Sequence, residues 1–154
     1  MGSNHDISVL NSLITTTIDS ANGFERSAED AEGGRFAQMF REFAGERRQV
    51  ISRLQQTVRG LGGEPADDGS LKADLHRRWI DLRTALTGGG GDKAVIEEVE
   101  RGEDYLKSKY DSALEDNELS PTAQSVIREA YESVRAGHDT ARSLKHSMQA
   151  DASA

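Results

Sequence analysis

The chain has 154 residues, 35% of them apolar and 30% charged, which suits one soluble domain with a single sizeable core. With 19 Lys and Arg against 27 Asp and Glu the net charge is −8, and no basic stripe is visible, so a nucleic-acid partner is disfavoured. There is no cysteine, which excludes disulfides, thiolate metal sites and cysteine nucleophiles.

The first periodic segment spans about 6–31. Ile7, Leu10, Ile14, Ala21, Phe24 and Ala28 recur on one face, with Asn4 or Asp6 available to cap the start. It contains LITTTI, the one strand-like run of β-branched residues. A second segment, about 35–61, carries Phe36, Phe40, Phe43, Val50, Leu54 and Leu61, and ends at Gly60, Gly62, Gly63 and Pro65. A shorter third segment, about 70–87, has Leu71, Leu75, Trp79, Leu82 and Leu86 on one face. The GGGGD that follows it is a flexible linker, because four successive glycines forfeit too much backbone entropy to stay helical. A fourth segment, about 92–115, turns Val95, Ile96, Val99, Leu106, Tyr110 and Leu114 inward. A fifth, about 121–148, starts at the cap pair Ser120-Pro121 and carries Ala123, Ile127, Ala130, Val134, Ala141, Leu144 and Met148. The tail 150–154 is expected to be disordered.

Four long helices of matched length predict an all-α four-helix bundle. Short loops make antiparallel hairpins of the first and last pairs, and a crossover carrying the fifth, shorter helix joins them. In that helix Trp79 is expected to dock the crossover, with His76 at a helix end or in solvent. No apolar run approaches the roughly 20 residues of a membrane span. MGSNHDIS lacks a charged segment followed by an apolar one, so the expected location is cytoplasmic.

Written as heptads, the core positions are mostly apolar. The exceptions cluster near mid-helix: Thr17, Arg47, Glu103, and Gly137 with His138 beside it. Antiparallel packing puts these at one level, a buried polar layer. A carboxylate there costs several kcal/mol unless it is paired or bound to metal. Two partners are available to Glu103: Arg47, in an ion pair that fixes helix register, or a cation held together with Glu46 and His138. No hydrolase arrangement can be placed. His5 and His146 read as surface residues, and Tyr110 as a packing residue.

Five stretches, GFERSAEDA, FREFAGERRQVISRLQQTVRGLGGEP, LHRRWIDLRTALTG, VERGEDYLKSKY and RAGHDTARSL, resemble a bacterial ferritin-like four-helix family of unassigned function, distantly similar to rubrerythrin. The resemblance implies the ferritin-like fold. Di-iron members of that fold carry a lone Glu on two helices and Glu-x-x-His on the other two. Here Glu103 matches one lone Glu. Glu46-x-x-Gln49 has Gln for His, Arg135-x-x-His138 has Arg for Glu, and no Glu stands near Thr17. At most Glu46, Glu103 and His138 survive as metal ligands. The resemblance therefore implies a degenerate or absent di-iron site, with no cofactor expected and iron or manganese as the alternative. Two functions follow. One is a non-enzymatic structural or stress-response protein acting by self-association, expected as a homodimer through spare apolar positions such as Leu13, Val58 and Ile80. The other is a metal-dependent oxidase or iron-handling protein.

Overall fold

The computed structural model describes residues 2–30, 36–67 and 91–153. Four helices occupy them: α1 (Gly2–Asp30), α2 (Ala37–Gly60), α3 (Gly91–Leu114) and α4 (Pro121–Ser153), with no strand among the described residues. The third expected segment, with His76, Trp79 and Ile80, lies outside them.

α1 packs along α2 and α3 along α4; α2 also lies against α4 and α1 against α3. Pairings fix the directions. Asn11 meets Ala66 while Asn22 and Glu25 meet Arg48, so α1 and α2 are antiparallel. His5 meets Asp116 while Thr17 meets Tyr110, so α1 and α3 are antiparallel too. Adjacent helices alternate in direction around the bundle, and α2 and α3, on one diagonal, run the same way.

Helix ends follow local chemistry, with two departures from the sequence reading. α1 begins at Gly2, so Asp6 is not its cap. Asp6 is buried, and its carboxylate accepts the Ser120 backbone N–H (3.0 Å) and hydroxyl (2.5 Å). Ser120 in turn caps α4 by accepting the Ala123 N–H (3.2 Å). One buried carboxylate thus ties the first turn of α1 to the start of α4. α4 itself continues to Ser153, through residues expected to be disordered. The stretch QADAS offers two alanines and no proline or glycine to stop the helix.

α2 ends in a Schellman motif. Gly62 takes φ +85°, its N–H bonds to the Arg59 carbonyl, and the Gly63 N–H reaches back to Val58. Gly63 is also a seat for Ile7: a Cβ there would lie 2.7 Å from the Ile7 Cδ1. In α1 the TTT run stays helical. Thr15, Thr16 and Thr17 each donate a hydroxyl hydrogen bond to the carbonyl four residues earlier, at 3.0, 3.0 and 2.6 Å.

The core has two halves. One is largely aliphatic, from Leu10, Leu13, Ile14, Ile18, Val50, Ile51, Leu54, Val58, Leu106, Ile127, Val134 and their neighbours. The other holds Phe24, Phe36, Phe40 and Phe43, all four of the chain's phenylalanines, with Val95, Ile96, Val99 and Ala141. Leu13 and Val58, expected as spare apolar positions for a dimer, are instead buried in the chain's own core, Leu13 at 3% exposure and Val58 at 0%. The apolar stripe of a bundle helix is wider than two heptad positions, so flanking residues are absorbed as well.

Candidate functional site

Between the two core halves lies a polar tier. α2 contributes Arg47, between Ala44 and Val50; α3 contributes Glu103, between Val99 and Leu106; α4 contributes Gly137, between Val134 and Ala141. Arg47 and Glu103 are both 0% exposed. The Arg47 Nη2 donates to the Glu103 Oε2 in a buried ion pair. The guanidinium carbon also lies 5.8 Å from the centre of the Phe43 ring, within cation–π range.

Gly137 makes this pair possible. A Cβ at that position would sit 2.7 Å from the Arg47 Nη2 and 3.0 Å from the Glu103 Oε2. Any side chain there has to push the guanidinium aside. The glycine is therefore a packing requirement, the volume of a missing methyl being taken up by the guanidinium.

Thr17, expected in this layer, lies instead within the aliphatic half, where it and Tyr110, two helical turns beyond Glu103 on α3, share a hydroxyl–hydroxyl hydrogen bond of 2.8 Å, both fully buried. Burial pushes the Tyr110 phenol up to about 12, so it stays neutral and serves as a hydrogen-bonding strut. Burial also pushes the Glu103 carboxyl above its ordinary range. Arg47 opposes this, first by its charge and then by its hydrogen bond; His138 opposes it more weakly, and Glu46 adds to the rise. The Arg47 Nε and Nη1 and the Glu103 Oε1 have no hydrogen-bond partner among the described residues.

The remaining sequence-predicted residues lie around this tier. His138 is half-buried and its Nε2 is 2.5 Å from the Asp104 Oδ1, with Nδ1 3.6 Å from Asp139. It meets the neighbour of Glu103, at the edge of the layer. Glu46 and Gln49 are exposed on the surface of α2, and Arg135 is exposed on α4. The ligand atoms of Glu46, Glu103 and His138 do not gather within 4.8 Å of one another; among the described residues the His/Asp/Glu set that does is His5, Asp116 and Glu118. His146 is exposed. His5, read as a surface residue, is half-buried and its Nε2 is 2.7 Å from the Asp116 Oδ2. Sequence spacing gave no signal for that pair, whose members are 111 positions apart.

These features define a class: an all-helical bundle whose core is divided by a buried arginine–glutamate pair seated on a glycine. Residues 5–116 match a domain of unknown function, DUF2383. The chain belongs to this family. The matched region takes in α1, α2 and α3, including Thr17, Arg47, Glu103 and Tyr110, while Gly137 and His138 on α4 lie beyond it. No match to the chain is found among curated proteins.

Proposed function

We propose that this protein is a non-enzymatic scaffold on the ferritin-like plan, in which the Arg47–Glu103 pair stands where related bundles hold two iron ions, and that it acts by associating with further copies of itself. The parallel course of α2 and α3 supports the plan, being what a long crossover between the second and third bundle helices produces. The donor set does not fit a di-iron centre. Such a centre needs carboxylates and imidazoles converging on two cations. Here a guanidinium, itself a cation, lies against the buried Glu103 carboxylate. Glu46 is exposed and His138 is engaged by Asp104. The observation that carries the reading is the packing of Arg47, Glu103 and the Gly137 backbone, which fills the centre of the bundle with side-chain atoms.

The test is elemental analysis of protein expressed with iron supplementation and then loaded anaerobically with Fe(II), beside a Glu103→Gln variant. The reading expects no iron that depends on Glu103. Stoichiometric iron or manganese in the wild type, lost in Glu103→Gln, replaces it with a metal-dependent oxidase or iron-handling protein. Sedimentation across a wide concentration range tests the association; a strict monomer removes that part of the reading.

A further inference from the structure

A second polar constellation lies at the far end of the aliphatic half, away from the tier. His5 comes from the first turns of α1, and Asp116 and Glu118 from the loop between α3 and α4. One ligand-type atom from each of the three lies within 4.8 Å of the others. The Asp116 carboxylate is fixed by the loop: its Oδ1 accepts the Glu118 N–H at 2.9 Å, while its Oδ2 meets the His5 Nε2 at 2.7 Å. The adjacent residues lock the two segments together independently, because buried Asp6 holds Ser120 through both its backbone and its hydroxyl. His5 immediately precedes that anchor, and Glu118 lies two residues before it.

We propose that His5, Asp116 and Glu118 form a surface site for one divalent transition cation, Zn²⁺ being the ion whose preferences they meet. One imidazole nitrogen with two carboxylate oxygens is a donor set that Zn²⁺ accepts with water completing its tetrahedron. Charge argues the same way. The loop brings a Glu118 carboxylate oxygen within 4.8 Å of one from Asp116, so a dication there is attracted by two negative charges at once. Preorganisation argues for it too: the Asp6–Ser120 contact already holds both chain segments in place, so binding orders little that is not ordered already. The bound ion staples the start of α1 to the α3–α4 loop. This site is separate from the tier and stands whether or not the scaffold reading holds.

The experiment titrates ZnCl₂ into the full chain by isothermal titration calorimetry and follows thermal unfolding with and without the metal. The expected result is one Zn²⁺ per chain and a raised unfolding midpoint, both lost in His5→Gln and in Asp116→Asn. Both persist in His76→Gln, His138→Gln and His146→Gln. Shifts of the His5 ring resonances in the wild-type NMR spectrum report the site without any substitution. No saturable binding overturns the proposal, as does binding that survives His5→Gln, binding that disappears in one of the other histidine variants, or His5 resonances that do not move.

Discussion

The two halves of the core are held in register by different means. The aliphatic half is cross-linked at its end by polar contacts between elements: Asp6 to Ser120, Asn11 to the Ala66 N–H and the Glu64 carbonyl, Gln55 to the Ala66 carbonyl, His5 to Asp116. The aromatic half adds to a polar clasp, Arg48 to Asn22 and Glu25, the shape of interlocking rings. Phe24 stacks on Phe40 at 5.7 Å and tilts against Phe43 at 5.1 Å, and Phe36 stacks on Phe40 at 6.1 Å. Aliphatic side chains interdigitate in many ways, so that half gains most from directional hydrogen bonds, whereas interlocked rings tolerate fewer arrangements. Between the halves, the ion pair penalises any slip of α2 against α3.

The strongest test of this division is removal of one partner of the tier. Glu103→Ala leaves Arg47 buried and uncompensated, with an expected loss of about 3–5 kcal/mol in urea unfolding. Replacing both together, Arg47→Met with Glu103→Leu, is expected to recover most of that stability or exceed the wild type, since hydrocarbon needs no hydrogen-bond partner. A double variant as unstable as Glu103→Ala would mean that the tier stabilises the fold and does more than set register.

Asp6→Ala probes the cross-linked end. It strands the Ser120 donors and should cost about 1–3 kcal/mol. Hydrogen exchange should quicken at the starts of α1 and α4 and stay unchanged around Phe40. Equal loosening in both halves would show that they are not held separately.

Gly137→Ala forces the Arg47 guanidinium aside. Overpacking of about 1–3 kcal/mol is partly offset by about 1 kcal/mol of helix propensity, so a net loss of roughly 1–2 kcal/mol is expected by thermal denaturation. In the Arg47→Met, Glu103→Leu background the loss should shrink.

The tier also has a pH signature. Burial raises the Glu103 carboxyl in the folded state above its ordinary value of 4.5. Between those two values the native state holds a proton that the unfolded chain has released. Glu103's contribution to stability therefore declines as pH rises through that window, at no more than about 1.4 kcal/mol per pH unit. Stability curves of wild type and Glu103→Gln should diverge there; parallel curves would remove the effect. The smallest change belongs to Gly102→Ala, where a Cβ meets nothing within 4 Å in mid-helix. It should stabilise by about 0.5–1 kcal/mol, in contrast to Gly137.

Much of this was legible in the sequence. Apolar spacing located the four described helices to within a few residues, and heptads put Arg47, Glu103 and Gly137 at one level, whereas Thr17, expected there too, lies in the aliphatic half against Tyr110. Periodicity gives a residue's face but not its rotamer, so His138 was placed in the layer while its imidazole engages Asp104 at the edge. It also says nothing about contacts between distant segments. Asp6 therefore looked like a cap for its own helix, when it supports the cap of α4. Gly137 looked like a gap in the stripe because only the folded neighbours show what fills it.

The threonine run of α1 has a consequence beyond packing. Leu13 to Ile18 is uncharged, rich in β-branched side chains and free of proline, the composition that favours intermolecular sheet once it is released from a folded host. Its hydroxyls bond within the helix, and Leu13, Ile14, Thr17 and Ile18 are covered by the bundle. The interior that shelters this segment thus also keeps the protein from aggregating, and fibril growth under mild destabilisation should begin with the peeling away of α1.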